Sequence, residues 1–400
     1  MTTESMQVES SIKKSQTRLS FIITARNDNY GGNSNWRLET TLNYLAENLK
    51  KLDRLDEVEV IITDWGSEIP LDSVLSLNPA ARLITRFLLV PPSLAVDLQG
   101  DSKFPDVLAG NAAVRRSRGY FVAVIYADIL LTQEYLDCLF RVIDGSVDIG
   151  APIERSLLMS RRRNVPSVYV NRCPNLQELD WVVCHFGSLM PFDLPLRIHH
   201  LPFHYYFPAS LFMMSRWLWD DCRGVDESMM HYGFIDTDLV RRVASKYTSL
   251  YMDVNGLTLF HLDHYRSATG PITDRKINQD IFNNKYCPNG DAWGLGNHAI
   301  EEASCSGNSG DKYYPALDVE QRVPLTFGLI QIVTSIVASW LISRIALWPR
   351  RTWLVLCDLR RQPVRLWLST LLRLLSEWRL RRRMRRPNAT CETNDEESGS

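Results

Sequence analysis

Leu19-Ser-Phe-Ile-Ile-Thr24 runs straight into Ala25-Arg-Asn-Asp-Asn-Tyr-Gly-Gly32, an apolar, β-branched stretch breaking into a polar loop with two glycines. Such a run reads as a buried strand that empties into a loop at its carboxyl end. The pattern then repeats. Val58-Glu-Val-Ile-Ile-Thr63 stops at Asp64-Trp-Gly-Ser67, residues 83–90 give a further strand, and residues 120–125 stop at Tyr126-Ala-Asp128. Between these strands, Leu38, Leu42, Leu45 and Leu49 recur at helical spacing within residues 36–52, and residues 107–118 and 133–143 also read as helices. Short apolar strands alternating with amphipathic helices predict an α/β fold, Rossmann-like, with a mainly parallel sheet flanked by helices. Ligands of such sheets sit outside the carboxyl ends of the strands. Those ends carry Asp28, Asp64 and Asp128. Turns favour aspartate anyway, but three at successive strand ends mark the expected place of the chemistry.

Residues 150–232 are rich in aromatics, proline and histidine and show no clean period. A helix is expected over 236–243 and short strands over 248–252 and 257–260, the second ending at His261-Leu-Asp-His264. Residues 268–318 read as loop. The clusters Phe203-His-Tyr-Tyr-Phe207 and Trp217-Leu-Trp219 are aromatic enough to stack on a ligand, though such clusters are more often core. His199, His200 and His204 carry no assigned role.

Four hundred residues with 45% hydrophobic, 23% charged, 20 glycines and 19 prolines is globular composition. It excludes collagen, a mostly disordered chain and a polytopic membrane protein. Eight cysteines, none in a CxxC pair, point to scattered reduced thiols rather than a disulfide scaffold or zinc ribbon. Residues 1–18 are polar, read as a disordered leader, and show no secretion signal.

The net charge of -1 hides an uneven distribution. Residues 344–386 hold 13 arginines against Asp358 and Glu377, while residues 388–400 form an acidic tail. The chain therefore divides into a leader, an α/β domain over 19–318, a helical arm over 319–387 and the tail over 388–400. Within the arm, the 19 uncharged residues 325–343 are long enough on paper to cross a bilayer. Val364, Trp367, Leu368, Leu371, Leu375 and Trp378 share one helix face, with arginines elsewhere: a basic amphipathic helix with interfacial tryptophans. A single crossing would put the arginines outside, against the positive-inside rule. Docking at the inner face keeps them with the body, each arginine near anionic lipid adding about 1 kcal/mol. The expected location is thus cytoplasmic and peripheral, at an anionic membrane surface, with nucleic acid not expected as a partner. A packing helix for a partner subunit is the other reading of the arm.

Five local matches, in order over residues 19–267, resemble a glycosyltransferase of the GT-A fold, close to the family-two group that uses nucleotide-sugar donors. They are Thr24-Ala-Arg-Asn-Asp28, Ile62-Thr-Asp-Trp-Gly-Ser67, Gly110-Asn-Ala-Ala-Val-Arg-Arg-Ser-Arg-Gly-Tyr120 leading into Tyr126-Ala-Asp128, Gly233-Phe-Ile-Asp-Thr-Asp-Leu239, and His261-Leu-Asp-His264. The resemblance implies hexosyl-type transfer to a glycan or lipid-linked acceptor hydroxyl, inverting and assisted by Mn²⁺ or Mg²⁺. It places Arg26, Asp28, Asp64, Asn111, Tyr126 and Asp128 at the donor, Asp128 with His261 or His264 on the metal, and Asp236 as general base. Asp238 would be a helix-dipole partner or a support behind the base. The chain departs from the family's pattern twice: Tyr126 stands for the first Asp of D-x-D, and Ile235 for the Glu of Glu-Asp. Those departures leave a second reading, a degraded domain that binds nucleotide-sugar or serves as scaffold. A nucleotidyltransferase on a related sheet would want a basic, glycine-rich phosphate loop after the first strand, for which Gly31-Gly32 is a faint substitute.

Overall fold

A computed structural model describes residues 17–187, 190, 209–252, 258–264, 272–283 and 288–307. The leader apart from its last two residues, the arm with 325–343 and its amphipathic helix, the tail, the 203–207 cluster and His199, His200 and His204 lie outside the described residues.

The expected α/β architecture is present. Strands β1 (Leu19–Ala25), β2 (Val58–Trp65), β3 (Thr85–Val90) and β4 (Phe121–Ile125) form the parallel centre of a ten-stranded mixed sheet. The remaining strands are β5 (Ile129–Leu130), β6 (Ser156–Val165), β7 (Ala209–Ser215), β8 (Thr248–Tyr251), β9 (Leu259–Leu262) and β10 (Glu301–Ser304). The sheet order is β10-β3-β2-β1-β4-β7-β6-β9-β5, with β8 also beside β6.

Both faces of the centre are covered, which is why its strands read as unbroken apolar runs. Phe21, Ile23, Val60 and Ile62 point to one side, against Leu38, Leu42, Leu45 and Leu49 of α1 (Ser34–Lys51), Ala81 and Ile84 of α2 (Pro79–Ile84), and Leu136 and Leu139 of the later helix Gln133–Ile143. Ile22, Ile61 and Val122 point to the other, against Ala113, Leu218, Trp219, Leu239 and Val243. Each fully buried side chain of this size contributes about 1.5–3 kcal/mol, so the sheet centre is the stable anchor of the molecule. Apart from the four-residue turns Leu71–Val74 and Ser167–Val170, the other helices among the described residues are α3 (Pro92–Gln99), α4 (Asp106–Arg116), α5 (Gln133–Ile143), α6 (Leu176–Phe186), α7 (Arg216–Cys222), α8 (Ile235–Lys246) and α9 (Ile272–Asn283).

Strand β6 shapes the functional end. Its first half pairs β8 (Ser156↔Thr248 to Met159↔Tyr251), and its second half pairs β9 in parallel (Arg162↔Leu259 to Val165↔Leu262). A register shift at Ser160/Arg161 separates the halves. Because β6 runs antiparallel to β7, and β7 antiparallel to β4, β6 and β9 deliver their carboxyl ends to the same rim as β1, β2 and β4.

Three segments differ from expectation. Residues 268–318 are not all loop: they contain α9 and β10. Among the described side chains of α9 the most buried is the polar Asn278, whose amide donates to the carbonyls of His231 (by a short bond) and Gly233 (2.8 Å), beside Phe282 in the Phe234 cluster. Strand β10 pairs antiparallel with β3 at the sheet edge and is charged, Glu302 meeting Arg86 at 3.0 Å, so it shows no alternation. The aperiodic stretch 150–232 holds β6, α6, β7 and α7, and residues 83–84 end α2 rather than start β3.

Candidate functional site

Strand β5 follows β4 after three residues and pairs antiparallel with β9, Ile129 opposite His261. The Leu262 N–H donates to the Asp128 carbonyl at 2.9 Å, closing the junction. This register brings Asp128, His261 and His264 together. Asp128 Oδ2 lies 3.4 Å from His261 Nε2, 3.2 Å from His264 Nε2 and 3.9 Å from Arg37 Nε. Asp128 is 9% exposed and His261 1%.

The β6–β9 register places Asn164 beside the His261 ring. Asn164 stands opposite His261, and its Oδ1, an acceptor only, lies 3.0 Å from Nδ1. Nδ1 thus faces Asn164, and Nε2 is the ring atom directed at the Asp128 carboxylate. An imidazole held this way is poised to ligate a cation. Burial pushes His261 below its ordinary value, against the pull of Asp128. Burial would raise Asp128, but the charges and hydrogen bonds of His261 and His264 hold it well below the usual carboxylate range. The other carboxylate oxygen, Oδ1, is buried with no hydrogen-bond partner. Ligand atoms of the three residues lie within 4.8 Å of one another, so the cluster suits a divalent cation, and Oδ1 offers an additional oxygen.

Arg37, which the motifs did not single out, backs this group. Its guanidinium donates to Gly32 O (a short bond) and to Tyr30 O (2.5 Å), fixing the loop after β1. Tyr30 in turn sets its ring edge-on to His264, centroids 5.3 Å apart.

Tyr126 is the bridge to the second half of the site. The Arg162 guanidinium lies over its ring, 5.5 Å from the centroid. Burial raises the Tyr126 hydroxyl, followed by the nearby charges of Asp236 and Asp106. Asp236 is the second residue of α8, and its Oδ1 accepts the Thr237 N–H at 2.9 Å. Burial pushes Asp236 above the ordinary value, against Thr237's hydrogen bonds and the charge of Arg162. Phe234, at the N-cap of α8, has φ of 64°, a conformation rare for a bulky residue. The Asn278 amide on His231 and Gly233, and the packing of Phe234 on Phe282, hold that turn in place. Asp106, at the start of α4, accepts a short hydrogen bond from Thr24 at the end of β1.

The other expected donor residues are engaged elsewhere. Arg26 pairs with Asp28 (Nη2–Oδ2 2.8 Å) and donates to Lys103 O, while Asp28 Oδ1 accepts the Tyr30 N–H at 3.1 Å. Asp64 is 2% exposed; one oxygen takes a short bond from Ser67 Oγ and the other the Leu71 N–H at 2.7 Å. Asn111 is equally committed, its amide meeting Val225 N and O and Glu227 Oε1 at 2.8–3.0 Å, which ties α4 to the loop before α8. Asp238 lies behind the site, buried between Arg241 and Arg242, each at 2.7 Å.

Arg162 and Asp106 were legible only in part. Arg161-Arg-Arg-Asn164, one serine after the apolar Leu157-Leu-Met159, is a visible charge run, but nothing in its spacing tells which arginine reaches Tyr126.

No protein-family model matches the chain, and no curated protein matches it. Among solved structures, the chain is similar to S. aureus TarS at 11% identity and a TM-score of 0.36, covering 62% of this chain and 37% of that one. A structure of TarS residues 1–349 matches at 13% identity and a TM-score of 0.36, over 61% of this chain and 60% of that chain. The chain thus spans less than two thirds of either, and the chemistry of the rim rests on its own residues.

Proposed function

We propose that this chain is a glycosyltransferase that moves a sugar from a nucleotide-sugar donor to the hydroxyl of a glycan or lipid-linked acceptor. The observation that supports it most is the meeting of Asp128, His261 and His264 at the carboxyl rim, two residues from a tyrosine in electrostatic reach of Asp236. A divalent cation held by those three residues supplies positive charge for the leaving diphosphate, and the two imidazoles favour Mn²⁺ over Mg²⁺.

Asp236 is the general base of the proposal. Oδ1 is engaged by the Thr237 N–H, which leaves Oδ2 to receive the acceptor's proton. A carboxylate raised by burial is a stronger base than an exposed one. The acceptor oxygen bonds to the anomeric carbon, the bond from that carbon to the diphosphate oxygen breaks, and attack from the opposite face inverts the configuration. His261, oriented by Asn164, and Arg37, bracing the β1 loop, hold the metal side rigid. In the same proposal, drawn from sequence alone, the arm over 319–387 attaches the enzyme to the cytoplasmic membrane face.

A panel of radiolabelled nucleotide-sugars with Mn²⁺ tests the reading. Release or transfer of sugar from at least one donor, lost in Asp128→Asn and Asp236→Asn proteins that still fold, is expected. Nucleotide binding with no turnover across the panel would instead favour the degraded, binding-only domain. Flotation of the full chain with anionic but not neutral vesicles is the corresponding expectation for the arm.

A further inference from the structure

Helix α8 carries Asp236 in its first turn, and the residue that begins the helix cannot cap it. Helices ordinarily start at a Ser, Thr, Asp or Asn whose side chain accepts the first N–H groups. The N-cap here is Phe234, an apolar residue in the left-handed region at φ 64°, directly after Gly233 at φ 96°. A bulky side chain keeps that backbone conformation where its surroundings over-determine it.

Those surroundings come from α9. Asn278 is 0% exposed, and its side chain spans the turn before α8. The amide nitrogen donates to the carbonyls of His231 (a short bond) and Gly233 (2.8 Å), and Oδ1 accepts the His231 N–H at 3.3 Å. One buried amide thus fixes peptide groups on both sides of Tyr232. Further along α9, Phe282 packs on Phe234 with centroids 5.5 Å apart, and its carbonyl accepts from Arg241 Nη1 at 2.6 Å. Helix α9 therefore grips α8 at its start and along its flank. From the turn the path to the base is short. The Phe234 carbonyl accepts the Asp238 N–H at 2.8 Å, and Asp236 lies between those two residues.

We infer that Asn278 is a positioning residue for Asp236, fixing the turn 231–234 and through it the direction of the carboxylate, an assignment that rests on the proposed role of Asp236 as general base. A displacement of about 1 Å at a reacting group costs on the order of 10²-fold in rate, so an amide buried behind the turn controls turnover through the backbone. The metal side stands on other elements: Asp128 between β4 and β5, His261 on β9 and His264 just after it. Loss of Asn278 is therefore felt at the base and spares the cation and the anion it binds.

Steady-state transfer by the full chain, with the labelled nucleotide-sugar that the wild type turns over best in the donor panel, separates these sides. Asn278→Ala is expected to lower kcat about 10- to 100-fold, with the donor KM within about twofold of wild type. Calorimetric titration with pyrophosphate in Mn²⁺ buffer is expected to give wild-type affinity. Gly233→Ala strains the same turn from its own side and is expected to show the same split. Asn278→Gln, keeping the amide on a longer stem, recovers part of the rate. In an Asp236→Asn background, Asn278→Ala adds no further loss, because it acts through the carboxylate already removed. A purely structural residue would lower both backgrounds alike. If Asn278→Ala does not fold, Asn278→Gln and Gly233→Ala carry the comparison at matched melting temperature. Wild-type kcat in the variants that fold, or losses that multiply in full with Asp236→Asn, would overturn the positioning role and leave the glycosyltransferase reading standing. Absence of turnover of any donor by the wild-type chain would overturn that reading, and this inference with it.

Discussion

Asp64 and Asp128 end neighbouring regions of the same rim, both aspartates and both buried, and they behave in opposite ways. At the end of β2, Asp64 has each oxygen engaged by its own turn, by Ser67 and by the Leu71 N–H. Burial pushes its pKa above the ordinary carboxylate value, against those bonds. After β4, Asp128 has one oxygen against two imidazoles and a guanidinium, and the other buried and unpaired. The first is a carboxylate that closes a loop. The second belongs to a cluster whose ligand atoms could hold a cation. A buried polar group without a partner costs about 1–3 kcal/mol, and at Asp128 that oxygen lies beside a cluster that could hold a cation, which supports the proposed metal site. Position at a strand end is common to both, so it does not tell them apart; the partners do.

The sharpest test of the contrast lies at the base. Asp236→Asn is expected to lower kcat by about 10²–10⁴-fold while pyrophosphate binding stays intact, measured by transfer from a labelled donor. Its pH dependence follows from burial. Transfer needs Asp236 ionised, so kcat/KM falls as the pH drops through its folded pKa, which burial lifts above the ordinary value of about 3.9. An acid limb at or below that value would remove Asp236 from the role.

Asp128→Asn comes next, with a loss on the order of a thousandfold in kcat/KM and no Mn²⁺ uptake by electron paramagnetic resonance. Behind it, Asn164→Ala frees the His261 ring and lowers Mn²⁺ affinity about 10- to 100-fold at unchanged melting temperature. Unaltered Mn²⁺ affinity there would show that this contact does not orient the ring. The smallest functional effect is expected at Asp64. Its removal in Asp64→Ala strands the Leu71 N–H and lowers unfolding stability by about 1–3 kcal/mol in urea titration. Should D64A instead abolish nucleotide binding with its stability unchanged, the two aspartates are alike after all, and the contrast fails.

Much of the scaffold was readable beforehand, because both-face burial writes itself as apolar runs. The strands ending at Asp28, Asp64 and Asp128, the helix of Leu38, Leu42, Leu45 and Leu49, and the helix from Gln133 to Ile143 stand close to where the spacing put them. What escaped was held by polar groups. Helix α9 docks through Asn278 together with Phe282, strand β10 through Glu302 and Arg86, and the polar bonds leave no period in the sequence. Asn111, placed at the donor by its motif, is also a clasp between α4 and the 224–227 loop.

By itself the chain of residues determined an α/β sheet with acidic strand ends, since hydrophobic period and turn chemistry act over a few residues at a time. Only the tertiary structure decided which acids work in company. His261 and Asp128 are 133 positions apart, and their meeting depends on the β5–β9 and β6–β9 registers. Registers are chosen by packing and hydrogen bonding across the whole sheet, and a slip of one residue would turn His261 to the opposite face.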